Sequence, residues 1–84
     1  LRGQVRTEGI AGEGGATVRI IRFDSTRPNA GTGPTLFSEF VRGDADWQPF
    51  EISFEIPPQT GAVQIELFNW QAAGTSYWRD LRLD

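Results

Sequence analysis

The sequence predicts an all-β fold, an antiparallel β-sandwich of the jelly-roll type. Apolar residues recur at every second position, most clearly where Phe50, Ile52, Phe54 and Ile56 alternate with Glu51, Ser53 and Glu55. No apolar pattern with a 3.6-residue period lasts more than a turn. The periodic segments are short and are separated by Gly- and Pro-rich stretches such as "GIAGEGGA", "DSTRPNAGTGPT" and "PPQTG", the punctuation of an antiparallel β chain.

Six strands follow from this pattern. The first covers roughly Leu1 to Thr7, with Leu1, Gly3 and Val5 on one face and Arg2, Gln4 and Arg6 on the other. "GIAGEGGA" then reads as a hairpin connection. It is not a phosphate loop, because it lacks the Lys-Ser/Thr ending and joins strands, whereas phosphate loops open helices. The second strand runs roughly from Ala16 to Phe23, with Val18 and Ile20 inward. A long loop follows, in which Pro28 and Pro34 lack ladder donors. The third strand covers roughly Leu36 to Val41, and "RGDAD" turns into the fourth, roughly Trp47 to Ile56. The fifth runs roughly from Ala62 to Trp70 and the sixth from Ser76 to Leu83.

The chain has 84 residues, enough for one small domain. A chain of this size buries only about 60–65% of the surface its unfolded form exposes, so its core is marginal. It opens on Leu1 directly in a strand and leaves both sheet edges bare, which proteins normally cover. Residues 1–84 therefore read as a single β-sandwich domain, or the C-terminal part of one that is incomplete in this chain. The missing strands are expected upstream or from another chain.

Eleven acidic residues against eight basic ones give a net charge of -3, which disfavours nucleic acid and anionic membrane as partners. No apolar run approaches the ~20 residues of a membrane span. Cysteine and histidine are absent, so there is no thiolate chemistry, and the commonest general base and zinc ligand are missing. Glu51 and Glu55 share a strand face, but four residues of strand separate them by roughly 13 Å, beyond the ~5–9.5 Å of glycosidase carboxylate pairs. The sequence reads as non-catalytic.

The segment "ELFNWQAAGTSYWRDL", Glu66 to Leu81, holds two of the three tryptophans and the only tyrosine. Val63, Ile65 and Leu67 alternate into it, and Phe68 and Trp70 fall on the opposite parity, the face expected to meet water. Gln4, Arg6 and Glu66 belong to the same outward class by alternation. These residues suit a short cleft floored by aromatic rings and edged by polar groups; the other reading packs the rings beneath missing strands or a partner domain.

Four stretches, "LRGQVRTEG", "ATVRIIRFD", "DWQPFEISFEIPPQTGAVQIELF" and "GTSYWRDLRLD", resemble the latter part of β-jelly-roll carbohydrate-binding modules, of the kinds numbered four, nine and twenty-two, within the galactose-binding-like folds. In those modules a Trp opens a strand ending in Phe-x-x-Pro, as Trp47, Phe54 and Pro57 do here. A strand of alternating aliphatics follows, and the last strand carries an aromatic and then Asp-Asp-aliphatic-x-aliphatic. Trp78, Asp80, Leu81 and Leu83 match that ending, and Arg79 replaces the first Asp.

The resemblance implies binding of neutral plant-type polysaccharide, xylan or β-glucan, beside a glycoside hydrolase domain in a secreted or cell-surface enzyme. The implied carbohydrate contacts are Trp70, Phe68, Glu66, Arg6, Gln4 and Tyr77. Tyr77 stands evenly between rim and core, Trp78 is expected in the core by way of a bulge, with Leu81 and Leu83 inward, and Trp47 is expected to cap the core. Asp80 matches an aspartate that takes part in a structural calcium in many such modules; the alternative is that it bonds backbone amides or pairs with an arginine. The rival function is a structural or assembly module, whose edges and aromatic face are buried by another domain or an identical chain.

Overall fold

A computed structural model of the chain describes residues 1–27 and 29–83; Pro28, read above as part of a loop, lies outside them. Among the described residues there are four strands: β1 (Arg2–Asp24), β2 (Leu36–Phe37), β3 (Gly43–Glu51) and β4 (Thr60–Arg82). Every pairing is antiparallel, and β1 lies at the centre. β4 flanks β1 along its whole length, from Arg2↔Arg82 to Asp24↔Thr60. On the other side, β3 pairs with the first half of β1 and β2 with the second half. The fold is all-β, and among the described residues no helix is long and apolar enough to cross a membrane.

The glycine-rich stretch is not the expected hairpin connection. The two segments it joins do not pair with each other. Both pair with β4, so β1 runs unbroken through Gly9–Gly15, with register shifts between Glu8 and Ala11 and between Gly12 and Gly15. β4 likewise merges the two strands expected at 62–70 and 76–83, passing through Gln71 (φ 48°) and Gly74 (φ 122°). Twenty-three residues of straight strand would span roughly 75 Å at ~3.3 Å per residue. The longest dimension of the molecule is only 42 Å, so both strands bend sharply. The bend lies at the glycines because the two backbones touch there. A Cβ on Gly74 would lie 2.6 Å from the Gly9 carbonyl oxygen.

Two strand limits also differ from expectation. The segment 36–41 contributes only Leu36 and Phe37 to the ladder, plus a single bridge from Val41 to Ala16. β3 begins at Gly43, inside the expected turn, and ends at Glu51. The Ile52 amide still donates to the Leu1 carbonyl at 2.9 Å, but 52–57 leaves the ladder. Ile56, expected inward, is 63% exposed. The adjacent Pro57 cannot donate to a ladder, and the carbonyl of Glu55 is taken by the Arg22 guanidinium at 2.8 Å.

Bending brings the two halves of the sheet onto one core. Val18, Ile20 and Ile52 form its centre, and Leu1, Leu36, Phe50, Phe54, Val63, Ile65 and Trp78 pack against it. Leu1, Phe50 and Trp78 come from the end where β1 starts; Leu36, Val63 and Ile65 come from the other end. Val5 and Ile10 are also buried. Arg22 shares the inward parity of Val18 and Ile20 and is 8% exposed. Its guanidinium donates to the carbonyls of Glu55 and Pro34, tying both connecting loops to the sheet. Two of the donors of this buried cation are used this way, while its buried Nε has no hydrogen-bond partner among the described residues.

Candidate functional site

Register decides which way each side chain points, because directly opposed residues share a face. Val18↔Leu67, Ile20↔Ile65 and Arg22↔Val63 define the inner face of the second half of β1. Gly15↔Trp70, Thr17↔Phe68, Arg19↔Glu66 and Ile21↔Gln64 define the outer face. Phe68, Trp70 and Glu66 therefore lie together on the face opposite Val63, Ile65 and Leu67. Phe37 joins them, since it pairs with Arg19.

These rings form a contiguous cluster. Phe37 and Trp70 are 5.4 Å apart between centroids, tilted by 59°. Phe68 meets Trp70 edge-on at 6.0 Å, and Phe40 meets Phe37 at 6.3 Å. The Arg19 guanidinium lies 4.8 Å from the Phe68 centroid and 5.9 Å from that of Trp70. It is ion-paired with Glu66, which also accepts a 2.5 Å bond from the Gln64 amide. Phe68 and Trp70 are half-buried, while Phe37 and Phe40 are 39% and 40% exposed.

A polar knot holds the phenylalanines in place. The Thr17 hydroxyl donates to the Ser38 carbonyl at 2.9 Å, and the Ser38 hydroxyl accepts the Val18 amide at 2.9 Å. The Ser38 amide donates back to Val18, and Val41 exchanges two backbone bonds with Ala16. Residues 38–41 are thus fastened to β1 at both ends, although the ladder itself stops at Phe37. The Thr17 and Ser38 hydroxyls are both hydrogen-bonded in this buried corner, which rigidifies it.

The Arg19 hydrogen bond, assisted by that from Gln64, holds the Glu66 carboxyl below its ordinary range against the opposing effect of desolvation. Asp24 is lowered as well, chiefly by the Thr26 hydroxyl and amide. A depressed carboxylate contributes stability that is present above its unfolded pKa and is lost as pH falls through its folded pKa. The melting temperature is therefore expected to hold from neutral pH down to the ordinary carboxylate range and to fall below it. Glu66→Gln should remove part of that fall and leave the part due to Asp24. Parallel profiles for the two proteins, measured by thermal melting against pH, would count against the assignment.

The other expected site residues lie elsewhere. Gln4 and Arg6 pair with Arg79 and Tyr77, near one end of the two strands, whereas Trp70 pairs with Gly15 midway along them, at the bend. Gln4 and Arg6 end up apart from Trp70 because β1 bends at the glycines but stays in the same ladder with β4 instead of turning back on itself. Arg79 stacks 4.0 Å over the Trp47 ring and donates to the Gln4 side-chain oxygen at 2.7 Å. Trp47 is half-buried under that guanidinium. Arg6 lies 5.0 Å over the Tyr77 ring and pairs with Glu8 at 2.6 Å. Tyr77 is 39% exposed, on the rim.

Trp78 lies in the core, edge-on to Phe50 at 5.3 Å. The expected bulge exists: β4 places Asp80 and Leu81 between the partners of Arg2 and Gln4. Leu81 and Leu83, expected inward, are 46% and 65% exposed; the bulge keeps Leu81 on the face of Trp78, with its Cδ2 over Gly3, but at the open margin of the core. Among the described residues no group of three or more carboxylates, histidines or cysteines stands ready for a metal ion, and Asp80 has Arg79 at 3.7 Å.

Sequence reasoning missed Arg19 and Phe37. Arg19 shares the parity of Ile21 and Phe23 within a strand whose register on Glu66 is a long-range property. The assembled face offers ring surfaces, guanidinium donors and carboxylate and amide acceptors side by side. Compared with protein-family models, curated proteins and solved structures, the chain matches none.

Proposed function

We propose that the chain is a non-catalytic carbohydrate-binding domain that takes neutral polysaccharide of the xylan or β-glucan type on the outer face around Trp70. The observation that carries this reading is the grouping of Trp70, Phe68 and Phe37 with the Arg19–Glu66 pair on a face turned away from the core. Sugar rings present flat C–H faces to aromatic surfaces, and their hydroxyls bond to charged donors and acceptors beside them. The Arg19–Glu66–Gln64 chain is fixed before any ligand arrives, which lowers the entropic cost of binding. The resemblance to carbohydrate-binding modules supports the same reading and adds a secreted or surface setting beside a glycoside hydrolase.

A second reading, an assembly module, is favoured by one observation. β4 pairs only with β1, so its outer edge is unpaired among the described residues. Open edges of this length invite another strand.

Trp70→Ala separates the readings. Its retention in affinity electrophoresis on xylan or β-glucan is expected to weaken about tenfold, the equivalent of ~1.4 kcal/mol. Its melt should fall by less than the ~3–5 kcal/mol of a core tryptophan. Unaltered retention would sink the carbohydrate reading. Absence of retention in the parent protein, together with a mass that rises with concentration, would establish the assembly reading instead.

A further inference from the structure

We propose that the free edge of β4 pairs with the same edge of a second copy of this chain, antiparallel and with Ile65 at the two-fold axis. This rests on the assembly reading above and gives it a partner and a register.

The direction of the backbone groups follows from the far side of β1. Ala16 exchanges two backbone bonds with Val41, the Val18 carbonyl accepts the Ser38 amide, and the Arg22 carbonyl accepts the Thr32 amide. These residues turn their backbone groups away from β4. In an antiparallel pair, directly opposed residues either exchange their bonds or both turn outward. Asn69, Leu67 and Val63 lie opposite those three, and Ile65 lies opposite Ile20. All four therefore present their amides and carbonyls to the free edge, where β4 has no strand partner among the described residues.

The two halves of this edge are protected differently. Near its end β4 carries Arg79, Asp80 and Arg82, and a bulge in which Asp80 adopts φ 56°. Charges and bulges of this kind discourage pairing. From Ala62 to Asn69 the ladder on β1 has no register shift, and the segment holds no proline and no basic residue. Its one charge, Glu66, is ion-paired with Arg19 on the outer face. On the inner face Leu67 is 36% exposed, beside the Val63 and Ile65 that pack on the core. A regular apolar edge of this sort is one to which another strand adds.

The segment complements itself in one register. A two-fold pairing is isologous, so each contact occurs twice. With the axis at Ile65, that residue faces the partner's Ile65, and Val63 faces the partner's Leu67, an apolar row that extends both cores. On the outer face Gln64 faces the partner's Glu66, donor to acceptor, and Phe68 faces the partner's Ala62, large against small. Only one hydrogen of the Gln64 amide is used within its own chain, on Glu66. An axis at Glu66 would oppose two carboxylates directly, which is destabilising. An axis at Leu67 would set Asn69 against the partner's Ile65 on the inner face, and one at Gln64 would set Leu67 against the partner's Gly61.

Sedimentation equilibrium from about 1 μM to about 1 mM, the range of moderate to weak affinities, is expected to show a mass that rises from one copy to two and stops. Leu67→Lys puts a charge on the edge and should raise the dissociation constant about tenfold or more. The chain has no cysteine, so cross-linking reads the register without background. Gln64→Cys mixed with Glu66→Cys should form a disulfide between unlike copies, because a non-hydrogen-bonded pair holds its Cα atoms ~4.5 Å apart, within the ~4.4–6.8 Å of disulfides. Either variant alone should cross-link far more slowly. A mass of one copy throughout would overturn the proposal and the assembly reading with it. A dimer that Leu67→Lys leaves intact, or a mixed pair that cross-links no faster than either variant alone, would overturn this edge and leave assembly by another surface. A mass that rises past two copies would overturn the two-fold closure.

Discussion

Ile20→Ala is expected to destabilise the domain by about 2–5 kcal/mol. Ile20 is fully buried and sits in the three-residue centre of the core with Val18 and Ile52. A domain of this length holds a total stability of roughly 4–12 kcal/mol at ~0.05–0.15 kcal/mol per residue. One truncation therefore removes a large share of it. The site cannot collapse easily, because residues from both ends of the bent sheet converge on it and are anchored by separate ladders. Denaturant unfolding of the variant should show a midpoint shifted by that amount or no folded baseline at all. A loss under about 1 kcal/mol would mean that the two halves do not share one core.

Gly14→Ala is expected to cost as much by the opposite mechanism, insertion instead of removal. A Cβ at Gly14 would overlap the Trp70 carbonyl oxygen and lie 2.8 Å from the carbonyl carbon and 2.9 Å from Trp70 Cδ1. The obstacle is backbone, which cannot rotate away as a side chain can. Relief requires β1 and β4 to separate at the bend. We expect a loss of about 3 kcal/mol or more, the upper end for overpacking, and faster hydrogen exchange in the amides of residues 14–17 and 68–71. A melt within a degree of the parent would show that the strands do not approach so closely. Because Trp70 lies at that contact, the same substitution should also disturb the aromatic face.

Much of this was legible in the sequence. Alternation placed Leu1, Val5, Val18, Ile20, Phe50, Ile52, Phe54, Val63 and Ile65 on inner faces, and set Phe68 and Trp70 against them. Those assignments depend only on the two-residue repeat within one segment, which survives any change of partner. The need for a bulge near Trp78 was legible for the same reason. What the pattern could not carry was continuity. A glycine-rich stretch reads as a turn because glycine is common in turns, yet here it permits close contact between two long strands at a bend. Gln4 and Arg6 were grouped with Trp70 by outward parity, and Tyr77 through the resemblance; parity gives a face but no position along it, and the β1–β4 register sets all three apart from Trp70. Arg19 escaped notice because its meaning lies in Glu66, far along the chain, and Phe37 because its strand is secured mainly by the Ser38 side chain.

The central position of β1 also sets an order in time. Each β1–β4 pair closes a loop, the shortest from Asp24 to Thr60 and the longest from Arg2 to Arg82. The entropy of closure grows with loop length, so pairing is least costly at Asp24 and Thr60 and proceeds from there toward the chain ends. Contacts so distant in sequence place the domain among slow folders. During synthesis β1 emerges first and β4 last. Val18 and Ile20 therefore remain without their β4 neighbours until nearly the whole domain has left the ribosome, and for that interval the strand that will be most protected is the one most open to the wrong partner.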